Sequence, residues 1–246
     1  FFPAAFLLVV TASLSQEEKP NVVIIMTDDQ GYGDLSCHGN PIVKTPNLDQ
    51  LHAESIRFTS FHVSPFCTPT RAALMTGRYP GKTGAYRTSS GRTMLHRDEE
   101  TIADVFRENG YATGMVGKWH LGDNAPHRPQ DRGFDHVVWH RCGGIGQASD
   151  YWGNDYFDDV YERNGKFEQF EGYCTDVWFE ESMKFIESKQ DEPFFLYLAL
   201  NAPHGPYLVG EEWSEPYRET IGWRSGPEFY GMVANFDHNV GLLRDK

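Results

Sequence analysis

Apolar residues fall along this chain in two rhythms, short unbroken runs and helical stripes. Residues 21–27, Asn-Val-Val-Ile-Ile-Met-Thr, form a β-rich run bounded by Pro20 and by Asp28-Asp29. They read as a buried strand of a parallel sheet. The end of the run carries two acids, then Gly31 and Gly33. Ligands gather at the carboxyl ends of strands in open α/β sheets. Thr45-Pro46 predicts a helix, with Thr as N-cap and Pro in the first position. Residues 56–63 are expected as a short strand. A helix is predicted from just after Cys67 to about Met75, where Gly77 and Pro80 mark its end. Another spans 101–109 and closes at Gly110. A strand over 112–116 leads into Gly117-Lys118-Trp119-His120. Residues 175–188 are amphipathic, with Val177, Phe179, Met183 and Ile186 as the stripe. A second buried strand over 194–200 ends in Asn201-Ala202-Pro203-His204, and residues 229–243 read as a long helix. Strands alternating with helices make the class α/β. Residues 123–173 are rich in Gly, Asp, Tyr and Trp without clear periodicity, and are expected as a loop-rich insertion near the site. The last helix would normally feed another strand, so the sheet is expected to be C-terminally truncated.

The N-terminal run Ala4-Ala5-Phe6-Leu7-Leu8-Val9-Val10 is too short to span a membrane. Small residues follow it, then polar Gln16-Glu17-Glu18-Lys19. This fits the end of a secretory signal peptide, with a short N-terminal anchor as the alternative. Residues 1–19 are therefore expected as a signal remnant and linker, with residues 20–246 as the catalytic part. Export implies a secreted or periplasmic protein, or one in a lysosome-like compartment, with no stable membrane association. The 22 Lys and Arg residues against 35 Asp and Glu leave a net charge of −13. An acidic surface argues against nucleic acid or anionic lipid as partner. Any anion-handling site must then be a local cluster of cations. The four cysteines, Cys37, Cys67, Cys142 and Cys174, include no Cys-x-x-Cys pair, which argues against zinc. If Cys67 is chemical, at most one disulfide remains, and Cys142 with Cys174 is the expected pair.

Four clusters follow strands or precede helices: Asp28-Asp29, Cys67 to Arg71, Lys118-Trp119-His120, and His204. Two adjacent acids repel each other unless a hard divalent cation or solvent separates their charges. Alone, they are more simply a solvated turn. Cys67 opens a helix, with Arg71 one turn on. The helix N-terminus and the guanidinium both favour an anion there, although a lone cysteine is more often a packed one. On an extended segment Lys118 and His120 share a face, and Trp119 points the other way into packing.

Cys67-Thr68-Pro69-Thr70-Arg71 resembles the Cys-x-Pro-x-Arg signature of type I sulfatases, and Ala72 to Arg78 continues in that family's style. The stretch from Pro20 to Leu35 is similar to the family's first strand and metal loop. Gly117 to Gly122, Gly133-Phe134-Asp135 and Ala202 to Pro206 match later motifs. The resemblance covers about residues 20–246 and implies an alkaline-phosphatase-like sandwich, a mostly parallel sheet flanked by helices. It also implies that a formylglycine-generating enzyme oxidises Cys67 to formylglycine. One hydroxyl of the hydrated aldehyde attacks the sulfur of a sulfate ester, and loss of the proton from the other expels sulfate. On this resemblance calcium, ahead of magnesium, is held by Asp28, Asp29 and the modified Cys67. Arg71 holds the nucleophile and metal loop. Lys118 and His204 bind the sulfate oxygens, and one of them protonates the leaving alcohol. His120 takes the second proton. The implied substrate is a sulfated small molecule or glycan.

The family's Asp-Asn pair that completes the calcium site has no counterpart string here. Asp237 and Asn239 are expected to be helix-surface or packing residues. Ser149 and Asp150 carry no transferred role, and Tyr151 and Trp152 suit a sugar ring and core packing equally. Two rivals stand beside a sulfatase. One is a phosphodiesterase or phosphonate monoester hydrolase of the same superfamily. The other is a non-catalytic, sulfated-glycan-binding protein.

Overall fold

The computed structural model describes residues 19–88 and 93–246. The expected signal remnant lies outside the described residues. Among them, no helix is long and apolar enough to cross a membrane.

The strands are β1 (Val22–Met26), β2 (Ala112–Lys118), β3 (His136–His140), β4 (Val160–Arg163), β5 (Lys166–Gln169) and β6 (Phe194–Ala199). They form one sheet in the order β1-β6-β2-β3-β4-β5. The first four in that order run parallel, and β4 and β5 are antiparallel. The helices are α1 (Pro46–Glu54), α2 (Cys67–Thr76), α3 (Ile102–Glu108), α4 (Cys174–Ser188), α5 (Glu211–Ser214) and α6 (Gly226–Arg244). The α/β class and its mostly parallel sheet are as expected.

β6 lies between β1 and β2, and all six of its residues are buried. Alternation sends its side chains to opposite faces. Leu196 and Leu198 pack with Trp178, Phe185, Val233 and Phe236 from α4 and α6. Phe195, Tyr197 and Ala199 pack with Ala72 and Met75 of α2 and Ala103 of α3. Two apolar cores thus clamp the sheet and fix where its strands end. Gly117, at φ +103°, lets β2 approach β6, since a Cβ there would stand 2.1 Å from the Ala199 carbonyl oxygen.

Several expectations change. β1 is an edge strand here, not a buried one, with Val23 and Ile25 38% and 36% exposed. Residues 56–63 form no strand. Ile56, Phe58, Phe61 and Val63 are exposed, and a β-like pattern forms no ladder without a paired neighbour. Residues 123–173 are not all loop, since they hold β3, β4 and β5. Thr45 does not cap α1 with its side chain. Its hydroxyl bonds Ser36 and Asp49, and the carboxylate of Asp237 accepts the free Asn47 and Leu48 N–H groups at 3.3 and 2.8 Å. Asn239 donates to Asp176 at 2.7 Å. Both α6 residues thus serve packing. No disulfide joins Cys142 and Cys174; both thiols are free and buried. The Cys142 thiol faces Gln147, whereas that of Cys174 faces Thr175 and Asn201.

Candidate active site

The carboxyl ends of β1, β2 and β6 meet the first turn of α2. Asp28 follows β1, Lys118 ends β2, His204 follows β6, and Cys67 opens α2 with Arg71 one turn on. Each strand stops where its apolar run gives way to polar residues, so the chemistry collects on one rim. A cleft of about 580 Å³ opens there, lined by Asp28, Asp29, Cys67, Arg71, Phe61 and Val63 among others.

Arg71 is the buried centre of the rim. Its guanidinium donates to the carbonyl oxygens of Lys118 and of Leu200 (3.2 Å) and to the Tyr197 hydroxyl (3.3 Å). It stands 3.7 Å from Asp28. Lys118, fully buried, places its ammonium on the same Asp28 carboxylate. Burial pushes the Asp28 carboxyl up, but Arg71 and Lys118 outweigh it and hold the group below its usual range. The Asp28 N–H also donates to the Ala202 carbonyl at 2.9 Å, which ties β1's end to the segment bearing His204.

The Cys67 Sγ lies 3.2 Å from Nδ1 of His120 and 3.4 Å from the Thr88 hydroxyl. Burial, then the charges of Lys118 and Arg71, push the His120 imidazole down to about 3. The ring is therefore neutral near pH 7. His120 does not share an extended face with Lys118. β2 ends at Lys118, and a left-handed turn at His120 (φ 56°) swings the ring onto Cys67. Trp119 does point into packing, with its indole N–H on the His127 carbonyl at 2.8 Å. His204 Nε2 stands 3.5 Å from the exposed carboxylate of Asp29, itself at φ 58°. The rim thus brings together Asp28, Asp29, Cys67, Arg71, Lys118, His120 and His204.

A divalent cation finds only part of a shell here. Asp28 and Asp29 offer the hard oxygens that calcium takes, but calcium takes six to eight. Among the described residues no three His, Cys, Asp or Glu side chains cluster to hold a metal. Sequence reasoning missed Tyr197 and Thr88. Tyr197 sits in a wholly buried strand with no polar neighbour to signal a role. Thr88 lies in a loop with no motif.

Such a rim sets the Cys67 thiol and a neutral imidazole beside a buried cluster of charges at the strand ends of an α/β protein. The sulfatase family profile matches residues 20–246. Human arylsulfatase A is 36% identical over 98% of this chain and 51% of its own length. N-acetylgalactosamine-6-sulfatase of Sus scrofa is 33% identical over 93% of this chain and 47% of its own length. The solved structure of Ps i-CgsB with k-i-k-neocarrahexaose superposes with a TM-score of 0.85 at 33% identity, covering 93% of this chain and 55% of that one. The phosphonate monoester hydrolase of Agrobacterium radiobacter, at 20% identity and a TM-score of 0.67, shares the fold. The chain belongs to the sulfatase family of the alkaline phosphatase superfamily. It spans about half the length of the curated relatives it matches.

Proposed function

We propose that this chain carries the nucleophile-bearing part of a site that hydrolyses sulfate esters, acting on sulfated glycans. The observation that carries the reading is the Cys67–His120 contact above the buried Arg71–Asp28–Lys118 cluster. A non-catalytic binder has no need of a neutral imidazole on Cys67. The glycan assignment leans on the relatives, among them the neighbours crystallised with a neocarrahexaose and with D-Glucosamine-2-N,6-O-disulfate.

In this reading Cys67 is converted to formylglycine by a formylglycine-generating enzyme, which supplies a hydrated aldehyde able to take up and release sulfate. Asp28 and Asp29, with the modified residue 67, would hold part of a calcium site, and a cation bound there would withdraw charge from the sulfate oxygens. The chain's own residues do the rest. Arg71 fixes the ends of β2 and β6 and faces the nucleophile's side of Asp28. Lys118 and His204 bind the anion, and one of them protonates the leaving alcohol. His120 accepts a proton at Nδ1, the atom that faces position 67. The reading places maturation in an exported compartment.

The test is co-expression of the complete reading frame with a formylglycine-generating enzyme. Peptide mass spectrometry should show an aldehyde at position 67, and p-nitrophenyl sulfate should be turned over well ahead of p-nitrophenyl phenylphosphonate. Undiminished turnover by material that keeps a thiol at position 67 would falsify the reading, and the reverse substrate preference would favour the phosphonate hydrolase.

A further inference from the structure

We propose that Gly143 is a positioning residue, the wall that holds the His120 imidazole against position 67. The inference rests on the role proposed for His120. A Cβ built on Gly143 would lie 2.4 Å from Cε1, 2.6 Å from Nε2 and 3.0 Å from Nδ1 of that ring. Its three nearest heavy atoms all belong to His120. At its Nδ1 the ring meets the Cys67 Sγ at 3.2 Å. The imidazole thus packs against the Gly143 backbone while its Nδ1 contacts the nucleophile. Gly143 does not adopt the left-handed backbone that favours glycine, so space alone excludes a side chain there.

The loop is locked in place. Cys142 turns into Gly143 at φ 62°, a conformation that non-glycine residues hold only when their surroundings fix them. Its N–H donates to both carboxylate oxygens of Asp123 at 3.2 Å, and the Ser149 hydroxyl donates to the same carboxylate. Asp123 lies three residues after His120, so one carboxylate ties the loop to the segment that bears the ring. Asp150 accepts the N–H groups of Arg141 (3.2 Å) and Gly146 (2.8 Å), which fixes the loop on both sides of Gly143. A methyl group at residue 143 therefore moves the ring, not the loop.

The experiment uses Gly143→Ala, His120→Ala and the double variant. Thermal unfolding is measured on protein that keeps Cys67, and kinetics on the matured protein from the complete reading frame. Gly143→Ala should lower Tm by about 4–8 °C when His120 is present and by much less in the His120→Ala background, where the ring is gone. With His120 present, kcat for p-nitrophenyl sulfate should fall about tenfold or more, with KM within about threefold, because Lys118 and His204 are untouched. If Gly143→Ala does not fold, a double variant that folds supports the contact. Equal loss of Tm in both backgrounds, both variants failing to fold, or kcat within twofold of wild type overturns the proposal. A wild-type protein that hydrolyses no sulfate ester defeats the functional reading instead, and the unfolding cycle then decides the contact alone.

Discussion

Replacing Arg71 by Met is the sharpest probe of the rim. Arg71 is buried, and Met keeps an unbranched apolar stem while removing the guanidinium with its charge and donors. Three partners lose a hydrogen bond: the carbonyl oxygens of Lys118 and Leu200 and the Tyr197 hydroxyl. Asp28 keeps Lys118 but loses the guanidinium at 3.7 Å. Each orphaned buried acceptor costs about 1–3 kcal/mol, and breaking a buried ion pair from one side costs about 3–5 kcal/mol; these overlap and do not add. A net loss of about 4 kcal/mol is expected, or roughly 8–16 °C in Tm at this chain length. The measurement is thermal unfolding followed by near-ultraviolet dichroism, with EDTA present so that bound cations do not mask the loss. Arg71→Lys should recover part of it, since an ammonium restores the charge but not the planar fork. Asp28→Asn combined with Arg71→Met should cost less than the sum of the two single changes, because the pair then leaves together. A shift under about 3 °C for Arg71→Met, below roughly 1 kcal/mol, would mean that the guanidinium does not hold the strand ends together.

Three further outcomes follow from other parts of the fold. Burial raises the Glu181 carboxyl, but Arg163 at 2.6 Å and Lys184 at 2.9 Å overcome it and lower it below its usual range. A depressed folded pKa gives stability that is present above the unfolded value and lost as pH falls through the folded one. Glu181→Gln should therefore cost about 2 kcal/mol at neutral pH and progressively less in urea melts as the pH falls through the depressed folded pKa; a loss that does not shrink with falling pH would contradict the ion pair. Calcium added to this 246-residue polypeptide should bind weakly by calorimetry, since two carboxylates are far from a full shell, and sub-micromolar affinity would show that the site is whole. Trp152 is 95% exposed, which removes core packing as its role. Trp152→Ala should raise KM for a sulfated oligosaccharide about fivefold, roughly 1 kcal/mol, while leaving p-nitrophenyl sulfate unchanged. Equal KM values on the oligosaccharide would remove Trp152 from substrate contact.

The legible parts of this fold were those where local signals and tertiary context agree. The run in β6 is buried on both faces, so composition alone announced it. The helix expected over 101–109 is there as α3, started by a reciprocal cap between Thr101 and Asp104. Residues 56–63 misled because alternation records only what a strand could bury, not whether a partner lies alongside. β3 was missed because Val137-Val138-Trp139 is too short to show a period. The β4–β5 hairpin did carry a signal, since Asn164-Gly165 take φ 47° and 87° as a two-residue hairpin turn requires. At the site, motifs named the side chains but not their wiring. The turn at His120 is set by a backbone conformation that no motif encodes, and Tyr197 and Gly143 matter through space that only the folded chain defines.

That wiring changes how the two chemical assignments relate. The motif reading gives Asp28 to a cation and Lys118 to an anion, yet the fold sets the ammonium of Lys118 on the carboxylate of Asp28. The same buried charge cannot fully serve both partners. While Lys118 neutralises Asp28, its attraction for an incoming anion is largely spent. A divalent cation at Asp28, on the proposed assignment, supplies that neutralisation and leaves the ammonium to face the cleft. Cation binding and anion binding at this rim are then linked, each raising the affinity for the other by the same factor. The linkage matters because the chain as a whole carries a net charge of −13 and repels sulfate. On the proposed assignment Arg71, Lys118 and a cation together would reverse that field locally, and the rim would then select its ligand by position as well as by charge.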